Sequence, residues 1–221
     1  MKILTPENIS ANFFMKGDSL EGINTLPHIM PSQIHGKNII TVNDNNITEY
    51  ALPLRPEADG ILLTTPNAEA SLRFADCAPV MIWGDSWVMI LHSGYKGTVL
   101  NISREGLKVV REIFGGEAVK DSCAWIGPCI GREYFRKSGD EWTVKGIESF
   151  HENNYDIDGE KVYFDLAGEI QSQLIECGID EANITLSGIN TLTDSRCYSY
   201  RCGDIHERMT LQARIEKGST R

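Results

Sequence analysis

Three side chains able to bind a metal ion lie where predicted strands meet irregular backbone. His35 and His92 are each followed closely by a glycine, and Cys77 follows Asp76. Two imidazoles and a thiolate are a well-matched set of three ligands for Zn²⁺, and they leave a fourth position open for water. An open zinc site lowers the pKa of its bound water to about 7. Because no fourth protein ligand is evident nearby, the residue types favour a catalytic zinc over a structural one.

The same side chains allow other chemistry. Cys77 could be a thiolate nucleophile that is activated by His92 and oriented by Asp76 or His35. Copper is a further option, because histidine and cysteine also bind it strongly. The five histidines of the chain are too few for a multicopper oxidase. Packing is the remaining alternative, since a lone buried cysteine usually behaves as a small hydrophobic residue.

Two short apolar runs are predicted to bring Cys77 and His92 together. The runs cover Ala78–Trp83 and residues 87–91, and a Gly-Asp-Ser turn separates them. Brief apolar runs on either side of such a turn are typical of a β-hairpin. Cys77 and His92 would then lie side by side at the end opposite the turn.

The strands that surround this hairpin exclude a doubly wound nucleotide-binding fold. Strands are predicted over residues 39–42, 58–65 and 69–74, and no helix separates the last two from each other or from the hairpin. A parallel crossover needs a dozen or more residues. These direct connections therefore predict antiparallel or mixed pairing.

A change to helical spacing follows the hairpin. The apolar residues predict a helix over residues 98–114 that buries Leu100 and ends at a Gly-Gly pair. Because this helix would begin directly after Gly97, its N-terminus at Thr98 would lie beside His92. Free N–H groups at that position could bind an anion.

The second half of the chain is predicted to contain further short strands and helices. The strands cover residues 122–126, 162–164 and 183–186, and the helices cover residues 141–151 and 166–177. Asp165 is the predicted N-cap of the second helix. The last residues are predicted to form a short helix and a charged tail.

Length and charge limit the class of protein. A chain of 221 residues can bury a full core, so we predict one domain over residues 1–221. The net charge of −10 argues against a nucleic-acid surface. No run is long enough to span a membrane, and the N-terminus lacks the features of a signal peptide. Six cysteines without a disulfide framework favour a reducing compartment, so we expect a cytoplasmic protein.

Residues 194–208 are dense in arginine, tyrosine and cysteine. Arginine forks and aromatic faces could hold phosphate or a planar base. A salt-bridged surface loop would have the same composition.

Several motifs occur together in the order seen in one known family. They are QIHG (33–36), ADGILLT (58–64), ADCAPV (75–80), HSGYKGT (92–98), GPCIG (127–131), FDL (164–166) and SYR (199–201). The chain resembles the YfiH/YlmD family, also called laccase-domain proteins, polyphenol oxidases or peptidoglycan editing factors. The resemblance extends from about residue 33 to residue 208.

The resemblance implies a fold, a metal site and an activity. The fold is a single α+β domain with mixed sheets flanked by helices, in an α/β/β/α-like arrangement of layers. The metal is a zinc held by His35, Cys77 and His92. The activity is phosphorolysis of adenosine, inosine or methylthioadenosine, together with adenosine deamination. Copper-dependent polyphenol oxidation and a Cys-His hydrolase that edits peptidoglycan precursors are the alternatives that the family's other names imply.

The chain also departs from the family's pattern around the metal site. Lys96 stands where the family has arginine, and Tyr95 stands where it has tryptophan. Lysine keeps the charge but loses the bidentate grip on phosphate. We predict that Lys96 and the helix start bind phosphate, and that Tyr200 and Arg201 bind phosphate or base. The expected partners are a purine nucleoside and phosphate, without nucleic acid or membrane, in a monomer or weak homo-oligomer.

Overall fold

The computed structural model describes residues 1–19 and 26–217, which contain thirteen strands and six α-helices. The strands are β1 (Ile9–Phe14), β2 (His28–Ile29), β3 (Ile39–Val42), β4 (Gly60–Leu63), β5 (Glu69–Phe74), β6 (Ala78–Trp83), β7 (Val88–Ser93), β8 (Cys123–Ile126), β9 (Arg136–Lys137), β10 (Tyr155–Asp158), β11 (Lys161–Phe164), β12 (Ile184–Leu186) and β13 (Met209–Ile215). The helices are α1 (Ile47–Tyr50), α2 (Tyr95–Val99), α3 (Ile102–Phe114), α4 (Glu117–Lys120), α5 (Glu141–Ser149) and α6 (Leu166–Glu176).

The predicted hairpin forms the centre of a six-stranded sheet with the order β12-β8-β6-β7-β4-β3. Strands β6 and β7 pair antiparallel, with Pro79 opposite His92. Strand β3 runs parallel to β4, and β12 runs parallel to β8. The sheet is therefore mixed, as the short connections predicted.

Both faces of this sheet are covered, which explains why β6 and β7 are apolar without alternation. On one face, Val80 and Met89 pack with Leu107 of α3 and Leu174 of α6. On the other face, the residues of the six-stranded sheet pack against Leu72 and other side chains of a second sheet. Helices, six-stranded sheet and second sheet thus form successive layers. The architecture confirms the predicted α+β class, with mixed sheets flanked by helices.

The second sheet has four strands in the order β1-β13-β5-β2 and corrects the prediction for the end of the chain. Residues 209–215 form strand β13, not a short helix. Met209, Leu211 and Ala213 are buried in the core, and the residues between them are polar. This alternation has the period of a half-buried strand. The predicted charged tail falls in part on residues 218–221, outside the described residues.

The predicted helix over residues 98–114 is divided in two. Helix α2 begins at Tyr95, and α3 begins only at Ile102. Between them Asn101 adopts a left-handed conformation, with φ of 55°, and its side chain accepts a hydrogen bond from the N–H of Arg104. Asparagine tolerates this conformation and is a strong N-cap. Leu100, predicted to be buried, is exposed at this break.

A small aromatic cluster packs behind α2 and accounts for Tyr95. The ring of Tyr95 is 5.0 Å from that of Phe164 and 5.3 Å from that of Phe135. Its hydroxyl donates to the carbonyl oxygen of Trp142 at 2.7 Å. Tyr95 is therefore a packing residue that joins α2 to α5.

Among the helices of the described residues, none has the length and apolar character required to cross a membrane.

Candidate metal centre

Three segments that are distant in the sequence meet at one end of the six-stranded sheet. His92 lies in β7, Cys77 directly precedes β6, and His35 lies in the loop before β3. One ligand atom from each residue lies within 4.8 Å of the others. The rings of His35 and His92 are 4.9 Å apart and nearly perpendicular. The hairpin register thus brings Cys77 close to His92, and the loop before β3 adds His35, so that the three residues that the sequence singled out meet.

Asp59 holds two of these three residues in position. Its buried carboxylate accepts a hydrogen bond from Nδ1 of His92 at 2.8 Å. It also accepts from the backbone N–H groups of His35 and Gly36, at 3.0 and 2.7 Å. Because Nδ1 carries the proton that is donated to Asp59, Nε2 of His92 is left for a metal. The carboxylate that orients these two ligand candidates is therefore Asp59. Asp76 or His35 was expected to orient Cys77 in the nucleophile alternative, and no role was predicted for Asp59.

Asp76 instead joins the cysteine loop to the C-terminal part of the chain. One of its carboxylate oxygens accepts from the Thr191 hydroxyl at 2.7 Å, and the other accepts from the N–H of Arg201 at 2.9 Å. Asp76 has φ of 77°, a conformation that non-glycine residues seldom adopt. These two hydrogen bonds hold the backbone that precedes Cys77.

Close packing leaves no room for a side chain at Gly94. A Cβ at this position would lie 2.7 Å from Sγ of Cys77 and 3.3 Å from Cδ2 of His35. Glycine is therefore required for the thiol and the imidazole to approach each other. Gly94, two residues after His92 in the HSGYKGT motif, is therefore part of the site.

The electrostatics of the cluster favour a thiolate. Burial opposes ionisation of Cys77, but the neighbouring imidazoles of His92 and His35 outweigh it and lower the pKa of the thiol. Burial likewise opposes protonation of His92, but Cys77 and Asp59 outweigh it and raise the pKa of the imidazole. A positive charge at this point is thus stabilised by two anionic groups. A metal cation that replaces the proton would meet the same stabilisation.

These observations fit a metal centre. A thiolate and two imidazoles are suitable donors for zinc or copper, and Asp59 supplies the carboxylate that commonly orients a metal-binding histidine. The arrangement also fits a nucleophilic cysteine, because Cys77 lies beside His92 and His92 is hydrogen-bonded to Asp59.

The cluster opens into a cavity of about 770 Å³. Tyr200 and Arg201 line it, as do Phe135 and the three metal-ligand candidates. The guanidinium of Arg201 lies 5.3 Å from the centroid of the Phe135 ring. Two of the three predicted substrate-binding residues thus face the same space as the candidate metal centre.

Lys96, the third predicted substrate-binding residue, lies outside the set of residues that line this cavity. Its ammonium lies 4.9 Å from the centroid of the Trp142 ring in α5, which is a cation–π contact. The predicted anion site at the N–H of Thr98 is wrong, because α2 begins at Tyr95 and this N–H donates to the carbonyl oxygen of Gly94 at 2.8 Å. The Thr98 hydroxyl is buried and bonded to Ser93 and to the carbonyl oxygen of Gly94.

Sequence reasoning missed most of the positive charge in the cavity. Arg55, Arg73 and Arg208 line it together with Arg201. Arg208 lies within the arginine-rich segment noted above, but Arg55 is in a loop and Arg73 is in β5, without a motif around them. Only the fold reveals that these guanidinium groups share one space.

Residues 5–211 match the sequence profile of the family described as "Multi-copper polyphenol oxidoreductase laccase". A curated relative, the purine nucleoside phosphorylase of Aquifex aeolicus (strain VF5), is 29% identical over 187 residues, which cover 81% of this chain and 79% of that protein.

Two solved structures have a similar fold. The hypothetical protein YfiH of Bacillus licheniformis has a TM-score of 0.81 and 21% identity, covering 94% of this chain and 93% of that chain. YlmD from Geobacillus stearothermophilus has a TM-score of 0.79 and 17% identity, covering 96% of this chain and 93% of that chain.

Proposed function

Because this chain belongs to the laccase-type family that its profile match identifies, with YfiH and YlmD as structural relatives, we propose that it is a zinc-dependent purine nucleoside phosphorylase. The observation that carries the proposal is the convergence of His35, Cys77 and His92 in the lining of a cavity that Arg201 also lines. The name of the Aquifex aeolicus relative supports the substrate class.

A single zinc is favoured over several coppers. Within residues 1–19 and 26–217, one group of three or more histidine, cysteine and carboxylate residues converges closely enough to hold a metal ion. A multicopper oxidase needs several such groups. One thiolate with two imidazoles suits tetrahedral zinc with a fourth position for water or substrate.

Different residues of the chain would bind the metal and the substrates. His35, Cys77 and His92 would hold the metal, and Asp59 would keep Nε2 of His92 available to it. A bound zinc ion supplies a Lewis acid and lowers the pKa of a coordinated water. Every other contribution comes from protein groups that bind and orient the two substrates.

Binding of the substrates is assigned to the aromatic and arginine side chains of the cavity. Phe135 and Tyr200 offer faces on which a purine can stack. Arg201 offers a planar fork for inorganic phosphate. Because the N–H of Arg201 is bonded to Asp76, the residue next to Cys77, its backbone is fixed relative to the metal ligands. Holding phosphate and nucleoside together removes much of the entropic barrier to their reaction.

Product analysis tests the proposal. Zinc-loaded protein is incubated with adenosine, inosine or methylthioadenosine, with and without inorganic phosphate, and the products are separated by chromatography. We expect free base and ribose 1-phosphate, or its methylthio analogue, only when phosphate is present. Inosine formed from adenosine would report deamination, which we propose as a second reaction of the same site. Absence of phosphate-dependent products with fully loaded zinc would contradict phosphorolysis.

Variants connect the activity to the cluster. Cys77→Ala is expected to abolish turnover and zinc retention together, whereas Cys123→Ala, which removes a thiol from β8, keeps both. Metal analysis of protein purified without added metal distinguishes zinc from copper.

A Cys-His hydrolase is the second candidate, and the Cys77–His92–Asp59 arrangement favours it. It predicts covalent labelling of Cys77 by iodoacetamide, with activity that persists after zinc is chelated. Activity lost on chelation and restored by zinc alone would exclude it.

A further inference from the structure

The cavity holds more positive charge than a neutral nucleoside and one inorganic phosphate require. Four arginines line it in a protein whose net charge is −10. Among the described residues, none of these four lies within ion-pair distance of a carboxylate. Within the described residues, their side-chain hydrogen bonds go to backbone carbonyl oxygens, for example from Arg73 to His206 at 3.2 Å and from Arg55 to Met30 at 3.0 Å. Each guanidinium therefore keeps donors for a ligand.

Three of these arginines form a group apart from Arg201. Arg55, Arg73 and Arg208 all line the cavity. Burial is the largest cause that lowers the pKa of the Arg73 guanidinium, and the positive charges of Arg208 and Arg55 lower it further. Arg201 instead lies over Phe135. Like charges gathered without counter-charges destabilise the folded chain unless an anion binds between them.

The carboxylate that lines the cavity does not neutralise this group. Asp76 has its oxygens bonded to Thr191 and to the backbone N–H of Arg201. In the part of the chain that the structure describes, Asp76 forms no hydrogen bond or ion pair with Arg55, Arg73 or Arg208. The group is thus free to meet an anionic ligand.

A second cavity of about 440 Å³ borders two of these three arginines. Arg73 and Arg208 line both cavities, and Ser71 lines the second one. Ser71 is 1% exposed, and its Oγ has no hydrogen-bond partner. Ser71 and Arg73 lie on the same face of β5, because they are two residues apart in a strand. A buried hydroxyl without a partner is costly unless a ligand or water bonds to it.

We propose that Arg55, Arg73 and Arg208 form a subsite for a phosphate ester, so that the preferred ligand of the cavity is a nucleoside 5′-phosphate. The inference rests on the proposed function, since it assumes that the nucleoside part lies at the metal centre. Arg201 remains the group assigned to inorganic phosphate. The two anions then occupy different arginines of one cavity.

Binding measurements with defined probes test the subsite. Adenosine 5′-monophosphate and adenosine are titrated into the zinc-loaded full chain by calorimetry, at a fixed ionic strength of about 0.15 M. We expect the monophosphate to bind at least about tenfold more tightly, because charge-assisted bonds to a phosphate dianion are stronger than those to a neutral hydroxyl. Equal affinities would overturn the inference.

Substitutions test which arginines cause the tighter binding of adenosine 5′-monophosphate. Arg73→Gln and Arg208→Gln are expected to reduce the affinity for the monophosphate about tenfold each and to leave that for adenosine unchanged. Arg104→Gln, which removes an arginine charge from α3 that pairs with Glu176, is the matched control and is expected to change neither. A preference that persists in the Arg73→Gln/Arg208→Gln double variant would overturn the inference.

The two sources of phosphate are separated by kinetics. If the group instead served inorganic phosphate, Arg73→Gln would raise the KM for phosphate with adenosine as substrate, and that result would contradict our assignment. If adenosine is phosphorolysed and the monophosphate does not bind more tightly than adenosine, the proposed subsite is contradicted and the proposed function is still supported. A preference in binding without turnover of either compound would support the subsite and contradict phosphorolysis.

Discussion

The carboxylate of Asp59 fixes one metal-ligand candidate through its ring and another through its backbone. It accepts from Nδ1 of His92 and from the N–H groups of residues 34, 35 and 36. His35 has φ of 58°, so its loop adopts a conformation that these hydrogen bonds stabilise. The position of two ligands therefore depends on one buried side chain.

We predict that Asp59→Asn weakens zinc binding about 10- to 100-fold, the range for groups that orient metal ligands. An amide nitrogen cannot accept the hydrogen bonds that one carboxylate oxygen now accepts. Competition with a chromophoric chelator at about pH 7.5, where the ligands can be deprotonated, measures the affinity. Asp85→Asn, in the exposed turn at the other end of the hairpin, is the control. Equal affinities for both variants would show that His92 is oriented by something else.

Gly94 gives a second prediction at the scale of single residues. Gly94→Ala would place a methyl group 2.7 Å from Sγ of Cys77, so the sulfur must move and the ligand geometry is lost. We expect at least about a tenfold loss in zinc affinity, since ligand distances tolerate only small errors. Gly116→Ala is the matched control, because a Cβ at Gly116 meets nothing within 4 Å. Wild-type affinity in Gly94→Ala would contradict the packing argument.

Single residues were predictable from sequence when a motif surrounded them. His35, Cys77 and His92 stood beside glycine or aspartate at strand edges, and the hairpin register brings Cys77 close to His92. The partner of His92 was not predictable, because Asp59 and Asp76 both flank strands and only the three-dimensional pairing distinguishes them. The arginines at 55 and 73 had no local signal at all.

At the scale of elements, His151 connects the end of α5 to α6. Its Nδ1 lies 3.1 Å from Oε2 of the buried Glu169, and its Nε2 lies 3.1 Å from Oε1 of Glu176, which also pairs with Arg104. The hydrogen bond to Glu169 is the largest cause that raises the pKa of His151. The protonated imidazole therefore stabilises the junction.

We predict a pH-dependent cost for His151→Gln. Because the folded-state pKa is raised, the stabilisation is complete below the unfolded value of about 6.5 and is lost as pH rises through the folded-state pKa. The variant should have its largest deficit in the free energy of unfolding at about pH 6. That deficit is at most about 1 kcal/mol, because solvent screens a side chain that is 39% exposed. Urea unfolding at several pH values measures it. A deficit that does not change with pH would contradict the role of the charge.

Elements with a clear period were predictable, and those with a competing local signal were not. Strands β5 and β6 have the predicted bounds, because apolar runs between turn residues leave little ambiguity. The helix after β7 breaks where Asn101 forms a cap, which apolar spacing alone does not indicate. Strand β13 was mistaken for a helix although its apolar residues alternate, since charged residues around it resemble a solvated helix end.

At the scale of the whole molecule, two hydrophobic clusters share the six-stranded sheet. Trp125 belongs to the cluster between the sheets, and Trp87 belongs to the cluster under the helices. Strands β6 and β7 contribute to both clusters, so neither can unfold without exposing the other. The structure thus favours a single cooperative unit, which the prediction of one domain requires.

We predict that unfolding in urea is a single transition. Tryptophan fluorescence, which reports on both clusters, and far-UV circular dichroism should give the same midpoint when zinc has been removed, so that metal release adds no step. Two separated midpoints would show that the clusters are independent units and would contradict the prediction of one domain.

Strand β13 lies between β1 and β5, although β1 is near the start of the chain and β5 ends at Phe74. On the ribosome, the two earlier strands therefore emerge long before the segment that will hydrogen-bond to both of them. Until then their edges are open to pairing with other nascent chains. Translation must proceed through Ile215 before this half of the core can close, so chaperones that shield strand edges have the most to contribute in that interval.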